Sequence, residues 1–223
     1  MADPLQGTQT VVTRGRTLDH AAGVYDILAP LMTFGLEDRI SNRIIGQMTL
    51  PRSAHVLDVG CGTGTLSIRI ARRLSDDPGS YVYGLDAASK MLDVARRKAH
   101  GLSNIRFDHA AAEVLPYPDS SFDAVLSTFF FHHIDLELKA KVMAEVYRTL
   151  KPHGKFVIVD VDKPTNLFGT VCAWSGYWLF QQNEIRENIE GQLQHVIAGS
   201  PFKIWKKTAH HLGYVGVYEL IKE

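Results

Sequence analysis

The chain has little cysteine: Cys61 and Cys172 are the only two in 223 residues. Two isolated thiols make neither a disulfide framework nor a zinc site, and no metal is expected. A dominant charge is missing as well. Lys+Arg and Asp+Glu both number 24, so net charge gives no reason to expect a nucleic-acid partner. No uninterrupted apolar run is long enough to span a bilayer. Residues 1–17 lack the apolar centre of a signal peptide, so the cytoplasm is the expected location. Long repeats and low-complexity linkers are absent too. Two nucleotide signatures also fail. The P-loop with its Lys-Ser/Thr is not found, and the dinucleotide fingerprint G-x-G-x-x-G would need a glycine where Thr65 stands.

What remains is an ordinary globular composition, 45% hydrophobic and 22% charged, long enough to bury a sizeable core. The chain is read as one domain, 1–223. Residues 1–16 are a loose arm. Helices follow over about 18–29 and 37–48, giving an N-terminal helical cover within residues 1–50. Then comes a regular alternation over 53–163. Strands are read at 55–59, 81–85, 105–109, 122–127 and 155–161. Helices are read at 65–74, 89–100 and about 136–150, with Asp135 as an N-cap and Glu137–Lys141 as a helix-supporting pair. Apolar runs such as VLDV, AVLS and FVIV lack strict alternation, as strands buried on both faces do. Residues 164–183 carry no charge yet are rich in aromatics. One helix is expected over 184–198, and two strands within 202–221 meet near Gly213. Strands joined that closely are antiparallel. The fold class is therefore α/β: a doubly wound, Rossmann-like, mostly parallel seven-stranded sheet ending in an antiparallel hairpin.

The chemistry centres on VLDVGCGTGT, residues 56–65. An apolar strand stops at Gly60, Gly62 and Gly64, and a helix pattern follows at once. In open α/β sheets, ligands collect outside the carboxyl ends of the strands where the strand order reverses. Asp58 sits just before the turn, and Asp86 ends the second strand. Taken alone, Asp86 reads as a helix N-cap. With Asp58 and the G-x-G-x-G turn beside it, binding of two ribose hydroxyls is the better reading.

These residues, with GLDAASKMLDVARRKA, IRFDHAAAEVLPYPDSSFDAVLS, FHHID and YRTLKPHGKFVIVD, resemble the class I S-adenosylmethionine-dependent methyltransferases. The resemblance is nearest to the ubiquinone/menaquinone C-methyltransferase branch. It is specific over about 53–163, and YDILAPLMTFGLEDR also resembles that branch. It implies S-adenosyl-L-methionine as methyl donor and S-adenosyl-L-homocysteine as product. Gly60, Cys61, Gly62 and Gly64 would lie against the methionine half and Asp58 below its amino group. Asp86 and Ala87 would hold the ribose, and Met91 would lie against the adenine. Ala111, Ala112, Glu113 and Ser127 complete the set. The family often has aspartate where Ala111 stands, so the adenine loses one expected acceptor. The backbone of Ala112 can still serve the ring.

Methyl transfer from a sulfonium needs an in-line nucleophile at about 3–3.5 Å, exclusion of water, and in some cases a base. His132, His133 and Tyr25 are the candidate catalytic residues, each with a packing role as the alternative. The 164–200 stretch is read as a substrate cover. Its apolar part, 164–183, is read as a packed helix, an apolar lid or a face touching a membrane surface. The expected substrate is small and apolar, such as a quinol. The alternatives are N-, O- or S-methylation of another metabolite or phospholipid, a non-catalytic cofactor-binding subunit, and, disfavoured by Thr65, a nicotinamide oxidoreductase. Ser127-Thr128-Phe129-Phe130 is not the Asn/Asp-Pro-Pro-aromatic motif of many nucleic-acid methyltransferases.

Overall fold

The computed structural model describes residues 13–15, 40, 42, 44, 45 and 49–223. The helix expected over 18–29, with Tyr25, lies outside the described residues. Of the helix expected over 37–48, Ile40 and Ile44 are helical and buried.

Seven strands form one sheet: β1 (His55–Val59), β2 (Tyr81–Asp86), β3 (Ile105–His109), β4 (Phe122–Thr128), β5 (Leu150–Val161), β6 (Ile204–His211) and β7 (Val215–Ile221). Their order is β3-β2-β1-β4-β5-β7-β6. The first five pair in parallel, and β7 runs antiparallel to both β5 and β6. This is the doubly wound sheet with a terminal hairpin that the sequence leads one to expect.

The helices are α1 (Thr65–Arg73), α2 (Ser89–Lys98), α3 (Leu136–Thr149), α4 (Leu167–Phe180), α5 (Asn183–Ile189) and α6 (Gln192–Gly199). Neighbouring residues of a strand point to opposite faces, and here both faces are covered. Val56 packs in a cluster with Ile70 of α1 and Leu92 of α2. Leu57 and Val59 pack in a second cluster with Val142 and Val146 of α3 and Ile197 of α6. That explains why the strand runs are apolar without alternation.

Asp135 caps α3 by accepting the Leu138 N–H at 2.8 Å, and Lys141 pairs with Glu137 at 2.7 Å. Two boundaries differ from expectation. β5 begins at Leu150, directly after α3, rather than at residue 155. Leu150 already has extended dihedrals and pairs with Phe122, and Pro152 disfavours a helix there. The helix expected over 184–198 is broken into α5 and α6. Gly191 lies at the break with φ +88, a conformation that glycine adopts freely.

Candidate active site

The strand order reverses between β1 and β4, since β2 lies on the other side of β1. The glycine turn lies at the carboxyl end of β1, at this crevice. Gly60, Gly62 and Gly64 all have positive φ: 72, 54 and 73°. The turn is tied down from β2, because the Gly60 and Cys61 amides both donate to the Leu85 carbonyl at 2.8 and 3.0 Å. The three glycines face different surroundings. A Cβ on Gly60 would lie 2.5 Å from the Phe130 ring, and one on Gly64 would lie 2.8 Å from Phe107. A Cβ on Gly62 would meet nothing within 4 Å. Gly62 is thus the one whose missing side chain leaves open space.

Asp86 joins the turn to the next helix. One carboxylate oxygen accepts the Gly62 N–H at 2.8 Å, and the other accepts the Ala88 N–H at 2.8 Å. The N-cap of α2 is Ala88, not Asp86; Asp86 instead braces the glycine turn and the backbone leading into the helix. Asp58 is buried and accepts from the Ser67 hydroxyl at 2.5 Å. Cys61 lies in the turn, where burial pushes its thiol well up and Asp86 and Asp58 add to the effect. That makes it a poor nucleophile. Ser127 is buried and donates to the Val59 carbonyl at 3.0 Å, which ties β4 to β1. Along the β2–β3 side, the Ala87 carbonyl meets His109 Nε2 at 3.0 Å. Met91, Ala111 and Ala112 are buried, while Glu113 is half-buried.

On the other side of the crevice, β4 ends in a tight turn. Phe129 has φ +53, a conformation uncommon for a bulky residue and found preferentially at functional sites. A 3-10 turn, Phe131–His133, follows. Phe130 packs on Gly60, so this turn abuts the glycine turn directly. His132 Nδ1 lies 2.7 Å from an oxygen of Asp160, and its ring is 4.0 Å, centroid to centroid, from that of His133. His133 Nδ1 lies 3.3 Å from Gln182 Oε1.

Asp160 was not singled out by sequence reasoning. It lies near the end of β5, fully buried, and accepts the Phe131 and Val161 N–H groups, each at 2.7 Å. Burial opposes its ionisation. The His132 ring, the Val161 amide and His133 outweigh that and hold the carboxyl below its ordinary range. The available signal was positional: an acidic residue ends an apolar strand run in FVIVD, as Asp58 and Asp86 do near the ends of β1 and β2.

Helix α4 is oriented unexpectedly. Its small residues face inward: Gly169 and Ala173 are buried, and a Cβ on Gly169 would strike the Gly213 backbone. Most of its large residues face outward, although Trp174 and Tyr177 pack partly against the core. Leu167 is 81% exposed, Val171 60%, Trp178 68% and Leu179 70%. Helical periodicity puts these four on one side. Of the three readings for 164–183, packing holds on one face only: Ala173 joins the core, and Cys172, Trp174 and Tyr177 pack against it. No described helix is long and apolar enough to cross a membrane, and the described residues contain no cluster of metal-ligating side chains.

A family model described as a methyltransferase domain matches residues 56–154. The chain is 37% identical over 150 residues to the demethylmenaquinone methyltransferase of Thermus thermophilus, covering 66% of each chain. It is 34% identical over 146 residues to the ubiquinone/menaquinone biosynthesis C-methyltransferase UbiE of Pseudoalteromonas translucida, covering 64% of this chain and 57% of that one. The chain thus spans just under two thirds of the first relative and less of the second. Among solved structures, it resembles an S-adenosylmethionine-dependent methyltransferase from Aquifex aeolicus (TM-score 0.67, 18% identity, 93% of this chain and 100% of that one). It also resembles the [4+2]-cyclase SpnF (TM-score 0.62, 19% identity, 97% and 98%). At these identities the structural likeness speaks to the fold alone, and the fold hosts more than one reaction.

Proposed function

The chain belongs to the class I S-adenosylmethionine-dependent methyltransferases, and from that premise we propose that it methylates a small apolar acceptor, a quinol ring carbon first among them. One observation carries the cofactor assignment. Gly62 opens onto free space at the switch point while its amide is held by the same carboxylate, Asp86, that a ribose would engage. A carboxylate has about four acceptor sites, which suits Asp86 to accept ribose hydroxyls as well as amides. When bound, S-adenosylmethionine supplies an already activated methyl group.

The protein's own part is then binding and orientation. The glycine turn lets backbone approach the ligand. Asp58 offers a buried negative charge below the turn. The Phe129–His133 turn walls the other side and brings an imidazole to the crevice. The quinol assignment rests on the named relatives and on α4, whose exposed apolar face suits an acceptor drawn from a bilayer. We place α4 against the membrane surface, with 164–200 forming the acceptor side of the site. Calorimetry should detect S-adenosylhomocysteine binding and none of NAD. Labelled methyl should pass from S-adenosylmethionine to a reduced short-chain demethylmenaquinone. Binding of NAD alone would overturn the cofactor assignment. A labelled product other than the quinol, recovered from fractionated cell extract, would overturn the acceptor assignment.

A further inference from the structure

We propose that Asp160 is a positioning residue that fixes His132 as the Nδ1–H tautomer, leaving Nε2 as the base for an acceptor hydroxyl. The inference rests on the methyltransferase reading above.

An ionised carboxylate only accepts hydrogen bonds. Asp160 takes the Phe131 and Val161 amides at 2.7 Å each, both of which can only donate. The Asn188 side-chain amide lies 3.4 Å from the same oxygen that faces His132. Every neighbour thus treats Asp160 as an acceptor, so the partner at 2.7 Å, His132 Nδ1, carries the proton. In the neutral ring the lone pair is then on Nε2. The ring and its turn are both tied to one carboxylate. Asp160 anchors it from β5, and the Phe131 amide fixes the turn to the same carboxylate. Its side chain remains 13% exposed against 0% for Asp160, so part of the ring, and none of the carboxylate, is open to solvent. The other titratable neighbours are His133, on the same turn, and Tyr218 of the adjacent β7, whose hydroxyl is held protonated by burial, with Asp162 and Asp160 adding to the effect. From α5 the uncharged Asn188 approaches Asp160, while Glu187 is occupied by Lys139 of α3 at 2.8 Å.

The chemistry balances without a further reagent. Nε2 takes the hydroxyl proton of the acceptor, which raises electron density on the adjacent ring carbon. That carbon bonds to the methyl group as the carbon–sulfur bond breaks, and the bonding pair stays on sulfur. Loss of the ring C–H proton to water restores aromaticity and leaves the acceptor oxygen as a phenolate, and the imidazolium returns its proton to that oxygen. The net products are the methylated acceptor, S-adenosylhomocysteine and one proton.

The test has two arms. In the native protein, nitrogen-15 NMR should show His132 with its proton on Nδ1, the signal assigned by its loss in His132→Gln. A proton on Nε2 in the neutral ring would overturn the proposal whatever the activity. Asp160→Asn should lower kcat by about 10²–10³-fold, within the usual range for losing a general base, with S-adenosylhomocysteine affinity within threefold. Because the protonated ring loses its counter-charge, the acid limb of the kcat profile should move to lower pH. Adding Asp160→Asn to His132→Gln should cost less than threefold more, since the two act as a unit. Full additivity, or an unmoved acid limb, would overturn it. If Asp160→Asn does not fold, the tautomer arm still decides. If the wild type binds S-adenosylhomocysteine but methylates no quinol, the acceptor reading fails while the tautomer arm decides Asp160 separately.

Discussion

Two alanine substitutions in one turn, Gly62→Ala and Gly64→Ala, should separate ligand binding from folding. Both positions have positive φ, +54 and +73°, and a Cβ there costs about 1–2 kcal/mol. Gly62→Ala adds nothing more, since its Cβ meets no atom within 4 Å. For a domain of this size each kcal/mol lowers Tm by about 2–4 °C, so a fall of about 2–8 °C is expected. At Gly64 the Cβ would lie 2.8 Å from two Phe107 ring atoms and 2.9 Å from the Ala95 methyl. Both are buried and cannot easily yield. Overpacking adds about 1–3 kcal/mol, for a total near 2–5 kcal/mol and a fall of about 4–20 °C. Binding should rank in the opposite sense. A methyl group on Gly62 projects into the space assigned to the cofactor. A clash of about 1–3 kcal/mol there weakens S-adenosylhomocysteine about 5- to 150-fold. Gly64→Ala, packed on the protein side, should change affinity less than threefold once folded. Thermal unfolding and calorimetry on both variants give the two rankings. If Gly62→Ala binds S-adenosylhomocysteine as the wild type does, the open space at Gly62 is not the cofactor's seat.

Asp86→Asn turns one amide acceptor into a donor facing another N–H. Loss of charge-assisted bonds worth about 1.5–3 kcal/mol should weaken S-adenosylhomocysteine about 10- to 150-fold by calorimetry, and unchanged affinity would remove Asp86 from the site. Val171→Glu combined with Trp178→Glu alters two exposed positions of α4, so Tm should hold within about 2 °C. The rate on quinol embedded in vesicles should fall while that on a water-soluble analogue stays; an equal effect on both would refute membrane placement. Asp160 has a lowered folded-state carboxyl, so its contribution to stability is present above the ordinary aspartate value near about 3.9 and is lost as pH falls below it. Denaturant unfolding at pH 2–4, on the order of that window, should therefore show a shallower loss for Asp160→Asn than for the wild type. Parallel curves would mean that the carboxylate is not stabilised in the fold.

The sheet was legible because its signals are local and repeated. Each parallel strand is a short apolar run ended by a turn residue, and each helix after it has one apolar face. Asp135 and Glu137–Lys141 were legible for the same reason, since a cap and an i,i+4 pair depend only on near neighbours. What escaped depends on contacts distant in sequence. Gly191 inside a polar helical pattern reads as tolerated, and only the chain path from α5 to α6 makes it a break. Helix α4 misleads in a different way. Its composition suggests burial, but burial is set by which face meets the sheet. Gly169 and Ala173 let the backbone sit close to the hairpin, and that turns Val171 and Trp178 outward. Asp160 escaped because its meaning lies in residues 131 and 132, one strand away.

The three strand-end carboxylates also explain why the cofactor half is easier to read than the acceptor half. Asp86 accepts backbone amides at its own end of the sheet, and Asp58 accepts a hydroxyl from the helix that its turn begins. Those bonds fix a turn whose form follows from the glycine spacing itself. Asp160 is different: it accepts from the β4 turn and lies within reach of an α5 side chain. His133 reaches Gln182, at the junction of α4 and α5, in the same way. His132 is therefore oriented by β5, and His133 by the segment that follows it. A change of sequence in 164–189 can re-aim His133 while leaving the glycine turn untouched. On this architecture acceptor choice should vary with α4 and α5 at constant cofactor affinity, and exchanging 164–189 between relatives should move the acceptor preference without moving the Kd for S-adenosylhomocysteine.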